Sequence, residues 1–110
     1  MEQRKFRQML LALCSDCLYH AKKALDTSTD SFPLAARTMH MSQAYTAIAL
    51  AQFHYAVQCE EGEIPRFEAF HEKFRELHSE FAEAIETDHG LQWSMIFVGE
   101  LTELHTELQG

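Results

Sequence analysis

A chain of 110 residues, 46% of them apolar, suffices for one hydrophobic core, so the sequence reads as a single domain over residues 1–110. Its net charge of −8 is lopsided: residues 1–58 carry six basic side chains against four acids (+2), and residues 59–110 carry three against thirteen (−10). So acidic a second half repels phosphate backbones and excludes direct nucleic-acid binding there, and no apolar run approaches the ~20 residues needed to cross a bilayer.

Three breaks divide the chain into four amphipathic runs: Asp26 to Pro33, Glu60 to Pro65 and Asp88 to Gly90. Proline suits the first turn of a helix and glycine the position just past the last, so Pro33, Pro65 and Gly90 mark helix ends. The expected helices cover about 3–25, 33–60, 65–88 and 91–108, and short connections favour an all-α, four-helix up-down-up-down bundle with antiparallel neighbours.

The first run opens with Arg4, Lys5 and Arg7 ahead of apolar Met9 to Leu13, in the manner of a signal peptide. That stretch is short for a signal, and it passes into Cys14-Ser-Asp-Cys17 at helical spacing, so it is read as folded helix. A leucine before Cys14 also departs from a lipoprotein cleavage site. Phe6, Leu10, Leu13, Cys17, Ala21 and Ala24 form its core stripe, broadened by Met9, Leu18 and Leu25. Three cysteines in a helical frame suit a reducing, cytoplasmic setting. Cys14, Cys17 and His20 are spaced as metal ligands, and His40 falls near their level; Cys59 lies more than ~20 Å further along an antiparallel hairpin. Packing in the core is the simpler role for the thiols.

Asp30 and Ser31 are placed to cap the second helix. There Leu34, Met41, Ile48 and Tyr55 recur every seven residues among many alanines, which allow close approach, so this helix is expected at the centre. The third helix carries Phe67, Phe70, Phe74, Leu77, Phe81 and Ala84 on one seam, flanked by Ile64 and Ile85. Glu72, Glu76, Glu80 and Glu83 run along the same helix. Like charges at such spacing oppose helix formation slightly, so the row reads either as a docking surface for a basic protein partner or as a solvated face that keeps the bundle soluble.

Helix four packs Leu91, Trp93, Met95, Ile96, Phe97 and Val98 into eight positions covering nearly every direction around its axis. A terminal helix so apolar calls for a second chain, and Trp93, Ile96 and Phe97 are the expected self-association residues of a dimer. A fold of Trp93 and Phe97 over the bundle end, or a short strand at 93–98, are the other readings of this segment.

The same level counting puts His54, His71 and His105 in one layer, beside Glu68 and Glu72, where a bundle can hold iron, manganese or zinc. Glu68-Ala-Phe-His71 resembles the Glu-x-x-His ligand motif of ferritin-like di-metal proteins; the other such spacing, Glu86-Thr-Asp-His89, lies on the same helix, whereas that family needs the motifs on two helices. Arg66-Phe-Glu-Ala-Phe-His71 is similar to the arginine and histidine pattern of HEPN-type ribonucleases, with a faint likeness to their central helix at residues 42–51. That resemblance implies a dimeric helical bundle cleaving RNA with Arg66 and His71, although here the motif opens helix three beside an acidic surface. No serine-nucleophile elbow, phosphate-binding glycine loop or His-Glu-x-x-His is present.

The expectation is therefore a small, non-enzymatic cytoplasmic protein acting through protein contacts: self-association through helix four and a basic partner on the glutamate row, as for an inhibitor or accessory protein of a mobile element. No catalytic residue, metal ligand or cofactor is assigned; a histidine-carboxylate metal bundle and a HEPN-like ribonuclease are the alternatives.

Overall fold

The computed structural model describes residues 3–25, 34–87 and 94–109, with four helices: α1 (Gln3–Ala24), α2 (Leu34–Gln58), α3 (Pro65–Thr87) and α4 (Ser94–Gln109). Pro65 opens α3 as its fixed φ and missing N–H favour. Pro33, Gly90 and Trp93 lie outside the described residues. Residues 94–98 are helical, which corrects the strand reading of that stretch.

The four helices make a bundle 45 Å long and 21 Å across. The seam expected on α3 is buried throughout, with Phe67, Phe70 and Leu77 fully enclosed beside Cys14, Cys17 and Leu101. Each such side chain stabilises the fold by about 1.5–3 kcal/mol through apolar burial. Met41, Ile48 and Tyr55 of α2 are buried with Ala44 and Ala51, as the seven-residue recurrence requires.

Cross-helix contacts pair the end of α1 with the start of α2 (Arg37 Nη1 donates to Ala24 O, 2.9 Å), and the end of α2 with the start of α3 (Tyr55 and Phe67 rings 4.9 Å apart). The start of α3 meets the end of α4, where Arg66 Nη1 donates to Glu107 O at 2.9 Å and engages a terminal helix carbonyl. Packing is most extensive between α1 and α2; α3–α4 and α1–α4 follow, and of these four adjacent pairs the α2 and α3 backbones approach each other least.

One expectation needs correction. Helix α2 is not enclosed: Met39, Leu50, Phe53 and Val57 on its outward side are 51%, 47%, 62% and 67% exposed. On α4, Ile96 is exposed, while Phe97, Val98, Leu104 and Leu108 pack against the core.

Candidate functional site

The α2–α3 turn is built around one carboxylate. Gly62 takes φ +83°, a left-handed conformation that glycine adopts without Cβ strain. Its N–H donates to Glu68 Oε2, the Tyr55 hydroxyl donates to the same oxygen, and Ile64 N–H donates to Tyr55 Oη at 3.0 Å. The Tyr55 and Gly62 hydrogen bonds hold the Glu68 carboxyl below its usual range, while burial and the Glu68 hydrogen bond push the Tyr55 phenol up. The glutamate of the ferritin-like spacing is thus engaged in closing a turn.

Beyond that turn, a groove follows the α2–α3 seam because the two backbones stand apart. Its wide end, about 730 Å³, lies beside Tyr55, Cys59, Glu68, His71 and Arg75. A middle section of about 420 Å³ is walled by Tyr45, Gln52, Phe74 and His78, and the far section, about 450 Å³, by Met41, Phe81, Ala82 and Ile85. The lining grades from polar to apolar along the axis. Burial lowers His71 and the Arg75 charge lowers it further, with Glu72 opposing; burial also lowers His78. Neutral imidazoles therefore line the seam at neutral pH.

The three histidines expected in one layer face different ways. His71 lines the groove; His105 meets α1, its Nε2 2.7 Å from Ser15 Oγ and its ring beside Phe70; His54 stacks edge-on against the neighbouring Phe53. Counting residues along helices gave their height but not their direction around each axis. Among the described residues, no three His, Cys, Asp or Glu side chains converge on a point that could hold a metal ion. Arg66 and His71 are five residues apart and so project about 140° apart on α3. Arg66 reaches the end of α4 and His71 the groove, so within one chain the HEPN-like pair shares no cleft.

Ser15 and His105 are the contact that sequence reasoning missed. A serine beside a histidine is the start of a nucleophilic dyad, but the Ser15 hydroxyl also reaches Leu11 O at 2.9 Å, and while it donates there the 2.7 Å contact requires the His105 tautomer with its proton on Nε2. Burial and nearby Lys22 lower His105. The sections of the groove described above contain neither residue in their walls.

Cys14 and Cys17 are enclosed in the core, where burial pushes the Cys14 thiol up to about 12 and Cys17 higher still, helped by the neighbouring Cys14 charge. Such thiols are inert. His20 and His40 meet across the α1–α2 seam, as their levels suggested.

Two outward surfaces remain. Glu72, Glu76, Glu80 and Glu83 are all exposed on the side of α3 opposite its buried seam. Arg75 lies 3.7 Å from Glu72, and Lys73 bridges Glu76 at 2.9 Å and Glu100 of α4 at 2.6 Å, with its ammonium 5.6 Å above the Phe97 ring. Phe97 is therefore covered from one side, while Ile96 beside it is 66% exposed and Trp93 lies outside the described residues. The second surface is the uncharged outer side of α2 noted above.

Comparison with protein-family models, with curated proteins and with solved structures finds no match for this chain. Fold and geometry thus define it as an all-α bundle, in which no described helix is long and apolar enough to cross a membrane.

Proposed function

We propose that this is a cytoplasmic contact protein, without catalysis of its own, whose glutamate row on α3 docks the basic surface of another protein. The observation that carries the reading is the placement of Glu72, Glu76, Glu80 and Glu83 on one exposed side of a single helix in a chain of net charge −8. A rigid row of carboxylates at helical spacing attracts a cationic partner over distance and orients it on contact. An inhibitor or accessory protein of a mobile element would use such a row to imitate nucleic-acid charge. Self-association belongs to the same reading; on α4, exposed Ile96 supports it, whereas Phe97 lies partly under Lys73.

Titration with a soluble oligo-arginine peptide tests the docking row. Binding should weaken with added salt and fall about tenfold or more when all four glutamates are changed to glutamine. Equal loss on neutralising Glu60, Glu61, Glu103 and Glu107 instead would show only diffuse attraction and defeat the proposal.

A further inference from the structure

The outer side of α2 is the place where this chain departs furthest from the rest of its surface. From Leu34 to Gln58 the helix contains no acid, and its sole charged residue, Arg37, is engaged with Ala24 O. Every other helix carries acidic residues. Yet α2 exposes Met39, Leu50, Phe53 and Val57 along one line of its outward face, directly opposite the buried Met41, Ile48 and Tyr55. A helix apolar on both sides is ordinarily covered on both sides.

We infer that this face is the seat of a homodimer, with α2 of one copy lying antiparallel along α2 of a second. The inference deepens the contact-protein reading by naming one partner, the same chain, and moves the seat of self-association from α4 to α2. Charge selects that occupant. Two chains of −8 repel one another, and α2, which carries no acid, lets them touch without setting carboxylate against carboxylate. A basic partner, by the same argument, finds nothing on α2 to attract it.

The area is sufficient. The four side chains leave on the order of 400 Å² of apolar surface per copy, already the size of patches that mark interaction sites. Exposed Ala35 and Thr46 lie on the same side of α2, and their small side chains let a second helix come close. With exposed Gln43 beside them, the surface buried by both copies approaches the roughly 1,200 Å² at which stable interfaces begin. A two-fold axis beside Thr46 and Leu50 sets Met39 near Val57 of the partner subunit and opposes the two helix dipoles.

Sedimentation of the full chain at tens of micromolar tests this. The wild type should have twice the chain mass, and added salt, which screens the mutual repulsion, should preserve or increase the dimer. Phe53→Glu, at a position 62% exposed, should raise the dimer dissociation constant about a hundredfold while circular dichroism stays helical. Val57→Lys is the second variant, and Ile96→Glu on α4 should leave the dimer intact. A monomeric wild type, a dimer dissolved by salt, or a dimer that survives both α2 changes and yields to Ile96→Glu would overturn the proposal. None of these results touches the docking row on α3, which the cationic-peptide titration reads separately.

Discussion

His20 and His40 face each other across the α1–α2 seam with their Nδ1 atoms 3.0 Å apart and their ring centroids 5.3 Å apart. The centroid separation exceeds the nitrogen separation by about the two distances from ring centre to nitrogen, so both nitrogens lie on the line joining the rings. Their lone-pair directions oppose rather than converge, which suits a shared proton and not a chelated metal. One imidazole donates and the other accepts. A scalar coupling between the two Nδ1 nuclei should be measurable across that bond, and its absence would count against the contact. Changing His40 to Ala should cost about 1 kcal/mol in denaturant unfolding.

The Tyr55–Glu68 clamp predicts how the α2–α3 turn responds to mutation and to pH. Tyr55→Phe removes the phenol that accepts from Ile64 N–H and donates to Glu68, and should cost about 1–2 kcal/mol. The Glu68 carboxyl lies below its ordinary value of 4.5, so its contribution is complete above pH 4.5 and is lost as pH falls through the folded-state value. Unfolding curves of Glu68→Gln should lack that part of the acid dependence; an unchanged pH profile would count against the clamp.

Burial of His71, His78 and His105 sets a second pH dependence. All three are lowered from 6.5, so the unfolded chain binds protons first and stability falls as pH drops below 6.5 toward the folded-state values. Replacing His78 with Leu should flatten the slope between pH 7 and pH 5 in chemical denaturation. A slope as steep as that of the wild type would mean that His78 titrates as if exposed.

Thiol reactivity separates core from rim. Cys59 is half-buried, while Cys14 and Cys17 are enclosed, so alkylation of the native protein should label Cys59 first and reach the other two only on unfolding. Cys59 is itself raised, by burial and by Glu63, and should react more slowly than a free thiol.

Helix α4 offers two opposite tests of stability. Leu101, fully buried, should cost about 2–4 kcal/mol when cut to Ala. Gly99 is an exposed position inside the helix with nothing within 4 Å of an added Cβ, so Gly99→Ala should stabilise by about 0.5–1 kcal/mol. Thermal unfolding midpoints read both.

The architecture was legible because it depends on period and punctuation. Phe67 to Leu77 announce a buried seam at steps of three and four, Met41, Ile48 and Tyr55 recur every seven, and Pro65 begins a helix. The site was less legible because function here depends on direction around each axis. His54, His71 and His105 share a height but not a face, and nothing local in Ser15 points to His105, ninety positions away. The apolar side of α2 was obscured by its alanines: with apolar residues all round, Leu50 and Phe53 look no more outward than Ile48. The role of Glu68 was hidden because its partners, Tyr55 and Gly62, are assembled by the turn itself.

Amide chemical-shift mapping of the labelled full chain, first diluted and then titrated with the oligo-arginine peptide, tests most directly the claim that this protein works through separate outward surfaces. Dilution should shift resonances along residues 39–57 of α2, and the peptide should shift those along 72–83 of α3, leaving α2 unmoved. Peptide-induced shifts centred on α2 or on the His71 and Arg75 groove, with the glutamate row silent, would contradict it.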